Sequence, residues 1–354
     1  MEHARTNQSA FEDFDIYIWR HDTSLPIGFN GCTGNAAQLA EYVATLSTNY
    51  APGAKILFVA HSRGGLVVRA FMNYEGQGDK VLGLVTLGTP HHGSPLAVPD
   101  WAAIGWHNSM HPGTELFFDF FMSDRESAVF GTDRIGSLNL GWDNLDNAIS
   151  QQTVLSLNVE FAVDGKVYLT PNDMNNPSKG LDPTVFYSNI YKSKFGTLYE
   201  LNQKEKYHTK IVAFAAYQED INDKSLKLFE VFSDSNSLLQ LSASILSKCH
   251  KGIINIKSNF LLNDGLVPLQ SALFLDISDG GPFAFYSNGR VQINKERLKQ
   301  TKLLKRHRIF TEKVETHLDL LHTESLEYWR ALEEELRCFV GHVSSHEQSI
   351  IPPR

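Results

Sequence analysis

The sequence predicts an α/β fold: a mostly parallel central sheet with helices on both faces and a large inserted region. Three observations point there. Short, continuously apolar runs recur at Lys55–Ala60 (KILFVA), Val81–Leu87 (VLGLVTL) and Lys210–Ala216 (KIVAFAA), as expected of parallel strands covered on both sides. Helical spacing fills the gaps between the early runs, and strand–helix–strand units of this kind build parallel sheets. From about Pro95 to His208 the pattern lapses into aromatic, Gly, Asn and Asp residues with no steady period. Residues 1–95 and 210–345 therefore read as one core, and residues 96–209 as a cap or lid inserted into it.

Taken in order, Phe14–Trp19 (FDIYIW) is β-branched and aromatic and suits a buried strand. Asn35–Tyr50 places Ala36, Leu39, Val43 and Leu46 at helical spacing, with Thr33 or Asn35 as a cap, until Pro52-Gly53 breaks it. KILFVA follows, then a helix over Leu66–Tyr74, then VLGLVTL. Beyond KIVAFAA the chain reads as irregular up to Leu261, including a Ser/Asp/Asn-rich patch at Ser233–Ser237. Arg308–Phe310 reads as a short strand. Glu324–Val340 closes the core as a helix with Leu326, Trp329, Ala331, Leu332 and Leu336 on one side.

Composition narrows the function. With 354 residues, 42% of them hydrophobic and 20% charged, the chain can bury a full core without staples. A net charge of −8 argues against electrostatic binding to nucleic acid or anionic lipid. The basic run Lys295–Arg308 reads as a solvated face. No stretch approaches the ~18 apolar residues of a membrane span. Met1–Phe14 is too polar for a signal peptide, which points to the cytoplasm unless a longer natural N-terminus carries one. Cys32, Cys249 and Cys338 are widely spaced and form no Cys-x-x-Cys pair, so free thiols are expected rather than a disulfide or zinc site.

The chemistry concentrates at Ala60-His61-Ser62-Arg63-Gly64-Gly65, where the strand KILFVA meets the next helix. Small residues two before and two after a serine let a strained turn lift Oγ above the carboxyl end of the sheet. The backbone N–H of Arg63, at a helix N-terminus, then faces a developing oxyanion. Serine needs a base and an orienting acid. Asp264, in Asn263-Asp264-Gly265-Leu266-Val267-Pro268, suits the acid; His317, just before the last helix, suits the base, with His322 in reserve. His61, His91, Trp101 and Trp106 are the candidate substrate contacts. His91 and His92 would line the mouth of the site, since no spaced partners accompany them as metal ligands. The aromatic cluster from Trp101 to Phe130 reads equally as an acyl-binding lid or as the insertion's own core.

The elbow AHSRGGL, the segment TLGTPHHGSPLA (Thr86–Ala97), NDGLVP and THLDLL together resemble the lipases and esterases of the α/β-hydrolase superfamily. Bacterial triacylglycerol lipases and lipase-like relatives of GPI inositol deacylases are the groups that carry such motifs. The resemblance covers Phe14–Pro95 and Lys210–Val340. It implies Ser62 as nucleophile, Asp264 as acid and His317 as base, and it makes Asp319 a calcium candidate beside the reading of a helix-start carboxylate. The family's elbow begins with Gly where this chain has Ala60. Its His-Gly loop, source of a second oxyanion donor, lies upstream of the strand that FDIYIW resembles, and the residues before Phe14 contain no His-Gly. The N-terminal strands are therefore expected to be missing; loss of one donor typically costs about 2.7 to 4 kcal/mol of transition-state stabilisation. The expected function is hydrolysis of a carboxylic ester, lipid-like, with no cofactor or metal and a small-molecule or lipid substrate. An acyltransferase or amidase would use the same residues. A weakened, hydrolase-like binding protein is the alternative of another class.

Overall fold

The three apolar runs become neighbouring parallel strands. The computed structural model describes residues 14–21, 27–28, 34–74, 76–94, 162–163, 166–167, 198, 201–218, 235–248, 260–275, 284–287, 290–298, 307–311 and 313–347. In chain order these give α1 (Asn35–Ser47), β1 (Ile56–His61), α2 (Arg63–Met72), α3 (Gln77–Lys80) and β2 (Val81–Leu87). A small hairpin, β3 (Ala162–Val163) with β4 (Lys166–Val167), precedes β5 (Ile211–Ala216), α4 (Ser235–Lys248) and α5 (Leu269–Ala272). A second hairpin, β6 (Ala284–Ser287) with β7 (Arg290–Ile293), leads to α6 (Lys295–Leu298) and β8 (His307–Phe310). The short α7 (Asp319–His322) and the long α8 (Leu326–Glu347) follow.

The main sheet has the order β1-β2-β5-β8, and each neighbouring pair is parallel. All six residues of β5 are buried, as a central strand requires. Its alternate side chains feed two cores. Ile211, Ala213 and Ala215 pack with α1, α2 and the Leu269–Leu275 stretch. Val212, Phe214 and Ala216 pack with Tyr328, Leu332, Leu336 and Phe339 of α8. Gly83 in β2 keeps α8 close, because a Cβ there would meet the Phe339 ring at 2.5 Å. This is the expected α/β architecture, with helices on both faces of a parallel sheet.

Several elements differ from expectation. Phe14–Trp19 forms no strand: Ile16, Tyr17 and Ile18 are 43%, 45% and 46% exposed. The Tyr17 and Tyr50 hydroxyls are hydrogen-bonded, and Tyr50 donates to Asp15, so the segment is held by side chains at the end of α1 rather than by a ladder. β1, expected to be covered on both sides, has Ala60 as its one buried residue and leaves Val59 39% exposed; among the described residues it pairs with β2 alone. The residue before α1 is Gly34 at φ 83°, which caps without a side chain, and Asn35 is instead the first helical residue. On α8 the buried face runs through Tyr328, Ala331, Leu332 and Leu336, whereas Leu326 is 61% exposed. Helix α4 occupies part of the stretch read as irregular. Its Ser242, Ser244 and Ser247 are buried, so the inward face carries polar residues that conceal a helical period. Trp101, Trp106, Cys32, Cys249 and nearly all of the insertion lie outside the described residues.

Candidate active site

Parallel strands bring their carboxyl ends to one edge, where ligands of open α/β sheets bind. β1 ends at His61, and Ser62 follows at φ 53°, ψ −133°, a conformation that costs a non-glycine residue energy. The turn is held on two sides. Ser62 N–H donates to Leu87 C=O at 2.8 Å, and Thr89 Oγ1 donates to Ser62 C=O at 2.8 Å. Arg63 opens α2, so its backbone N–H belongs to the first turn, which has no intrahelical acceptors. Its side chain is buried and donates from Nη1 to Asn35 Oδ1 at 2.9 Å, linking the elbow to the start of α1.

Two glycines make the close packing possible. At Gly65 a Cβ would sit 2.1 Å from Thr89 Oγ1. At Gly88, φ +57°, a Cβ would lie 2.8 Å from Leu320 Cδ1 and 3.1 Å from both Asp264 Oδ2 and His317 Nδ1. Gly88 thus packs directly against the acid–histidine contact.

Asp264 lies in a turn built from its own side chain. Oδ1 accepts the Leu266 and Val267 N–H groups at 3.0 and 2.8 Å, while Asn263 Oδ1 accepts the Gly265 N–H at 2.9 Å. Gly265 supplies φ +100°. The other oxygen, Oδ2, accepts from His317 Nδ1–H at 2.7 Å, and both side chains are almost fully buried. A carboxylate can only accept, so neutral His317 carries its proton on Nδ1 and leaves Nε2 as a free base. Nε2 is buried and, among the described residues, has no hydrogen-bond partner; Ser62 Oγ does not bond to it.

The His317 turn is anchored through its backbone as well. His317 N–H donates to Asp264 C=O at 2.9 Å. Asp319 Oδ2 accepts the N–H groups of Glu315 and Thr316 at 3.1 and 2.8 Å. Asp319 therefore acts at a helix start. Among the described residues no group of three or more His, Cys, Asp or Glu side chains could hold a metal ion. His322 is exposed on α7.

His91 and His92, expected at the mouth, are fully buried. Arg69 Nη1 donates to His91 Nδ1 at 3.1 Å, which leaves the His91 proton on Nε2, 3.2 Å from Thr86 Oγ1. With both ring nitrogens engaged, His91 offers nothing to a substrate. Arg69 also donates to Asn202 Oδ1 at 2.8 Å, stacks over Phe274 at 4.5 Å, and so joins α2, the turn after β2 and the residues after α5. His92 Nε2–H donates to Leu275 C=O at 2.7 Å. His61 likewise turns its Nε2 to protein, donating to His317 C=O at 2.9 Å. Sequence reasoning missed Thr89, Gly88, Arg69 and Asn202 as supports of this site. The TLGTP segment held the first two in view, but nothing in the sequence singles out Asn202.

Burial, and then the Arg69 charge, hold His91 well below its ordinary pKa. Burial, and then His317, push His61 down to about 3. Both stay neutral in the folded protein at pH values where the unfolded chain takes up protons. Their stabilisation is complete above the unfolded value of about 6.5 and is lost as pH falls toward the native values. Thermal midpoints are expected to drop between pH 7 and pH 5. His91→Gln should flatten that slope by up to about 1.4 kcal/mol per pH unit. A slope unchanged by the substitution, in melts run across this range, would show that His91 does not carry it.

A strained serine between strand and helix and a buried Asp–His pair thus stand at the same edge of a parallel sheet. Residues 34–111 match the family model described as a PGAP1-like alpha/beta domain. Among solved structures, the mature form of the Bacillus licheniformis lipase BlEst2 is similar at 13% identity and a TM-score of 0.35, over 84% of this chain and 69% of that one. No curated protein matches the chain. No helix among the described residues is long and apolar enough to cross a membrane.

Proposed function

We propose that the protein hydrolyses carboxylic esters, with a lipid-like acyl group, through Ser62, His317 and Asp264. The observation that carries this reading is the buried 2.7 Å contact between His317 and Asp264 at the sheet edge where Ser62 sits in its strained turn. Ser62 Oγ attacks the acyl carbonyl as His317 Nε2 takes its proton. The charge that forms on the imidazole lies against the Asp264 carboxylate, which also holds Nδ1–H in place. The Arg63 N–H stabilises the oxyanion. Collapse of the tetrahedral species breaks the ester C–O bond, and His317 returns the proton to the departing alcohol. Water, deprotonated by His317, then attacks the acyl-serine; the acid leaves and the proton returns to Ser62. Where the aromatic stretch from Trp101 to Phe130 acts as an acyl-binding lid, the reading it shares equally with being the insertion's own core, an apolar acyl group suits it.

The test is hydrolysis of p-nitrophenyl esters of increasing acyl length, with fluorophosphonate labelling alongside. Ser62→Ala and His317→Ala should each lower the rate by several orders of magnitude, because members of a triad fail together, and Ser62→Ala should abolish the label. A folded wild type that neither hydrolyses nor labels would overturn the reading in favour of a binding protein. Product that shifts to a new ester when an alcohol is added would favour acyl transfer.

A further inference from the structure

His61 ends β1 one residue before Ser62, and its side chain crosses to the turn that holds His317. The carbonyl it meets can only accept, so His61 carries its proton on Nε2 and donates it to His317 C=O at 2.9 Å. The two imidazole rings lie 4.5 Å apart, inclined at 48°. The His317 N–H, in turn, donates to Asp264 C=O. The polar backbone groups of His317 are therefore divided between the residue that contacts Nδ1 and the neighbour of the serine. Among the described residues no hydrogen bond is made to Nε2, so none holds that side of the ring toward Ser62.

We infer that His61 is a positioning residue, whose Nε2–H on the His317 carbonyl sets the reach between the Ser62 hydroxyl and the His317 base. This rests on the proposed roles of Ser62, His317 and Asp264. A rigid tie is worth having there, because a misplacement of about 1 Å between reacting groups can cost about 10²-fold in rate. A histidine suits the place only while it is uncharged, since a cation would oppose the imidazolium that forms on His317. Burial keeps it neutral; among the described residues His322 also disfavours a charge on His61, and Asp264 lies on the far side of the His317 ring.

Three variants test this. His61→Phe keeps a ring and removes the donor, His61→Gln offers an amide N–H at a reach close to that of Nε2, and His61→Asn offers one that falls short. Each is assayed for kcat and KM on a p-nitrophenyl ester and for the rate of fluorophosphonate labelling, with a thermal melt to confirm folding. The phenylalanine and asparagine variants should lose roughly 10- to 10²-fold in kcat and slow equally in labelling, with KM little changed. Glutamine should recover most of the loss. Retention of wild-type kcat by His61→Phe, a loss confined to KM, or equal rates in His61→Gln and His61→Asn would overturn the inference. Should His61→Phe not fold, the glutamine and asparagine pair decides it. If wild type is active and labels while the His61 variants match it, only this inference fails; a wild type that does neither fails both.

Discussion

Asp264→Asn is expected to reduce ester hydrolysis by roughly 10⁴-fold while leaving the fold intact. The asparagine Oδ1 can still accept the Leu266 and Val267 N–H groups that shape the turn, so the backbone has no reason to move. What changes is the group at 2.7 Å from His317 Nδ1: an acceptor becomes an NH₂ donor. His317 must then turn its Nδ1 into an acceptor, which moves its proton to Nε2. A protonated Nε2 cannot take the Ser62 proton. The measurement is kcat on a p-nitrophenyl ester beside a thermal melt. Activity within tenfold of wild type, in a variant that melts normally, would remove Asp264 from the proposed mechanism.

Gly65→Ala should abolish most activity and lower the thermal midpoint, although alanine is the better helix former by about 1 kcal/mol. The reason is contact rather than conformation. The new Cβ would stand 2.1 Å from Thr89 Oγ1 and 2.8 Å from its Cγ2. Thr89 cannot retreat freely, since its hydroxyl holds the Ser62 carbonyl at 2.8 Å. Something must give, and the elbow or the turn after β2 will open; a shift of about 1 Å there costs about 10²-fold in rate. Gly64 provides the contrast, because its nearest neighbours to a new Cβ are at 3.9 and 4.0 Å. Gly64→Ala should therefore fold at least as well as wild type. Thr89→Ala in the Gly65→Ala background should recover part of the lost stability. Equal melting of the two single alanine variants would show that Gly65 is not under this constraint.

The strands β2 and β5 were legible because each is one short apolar run, and a run of that length fits little else than a strand covered on both sides. The Phe14–Trp19 segment carries the same composition and forms no ladder. Composition describes what a strand prefers, whereas a strand exists only where a neighbour supplies the other half of its hydrogen bonds. Helix α4 failed in the opposite sense. Its buried Ser242 and Ser244 look like solvent-facing residues until the Leu239 and Ala243 side of the helix is seen against the Asp264 turn.

Ser62, Asp264 and His317 could be picked out as candidates because each stands in a local pattern with its own physical reason: a small-residue turn after a strand, an Asp-Gly turn, a histidine before the last helix. Those patterns are short-range, and so the linear sequence contains them whole. The meeting of Asp264 with His317, the wedge of space that Gly88 leaves beside them and the turn of His61 toward His317 are long-range. The burial of His91 on Arg69 is another. In sequence His61, beside the nucleophile, and His91, in the segment after VLGLVTL, both read as substrate contacts. Only the packing of α2 and the His317 turn around them shows that both His91 nitrogens and His61 Nε2 are already engaged. Type and spacing of residues decide what chemistry is possible at this sheet edge. Which polar groups stay free to perform it depends on which others the fold has paired, and pairing across distant elements is settled by tertiary packing.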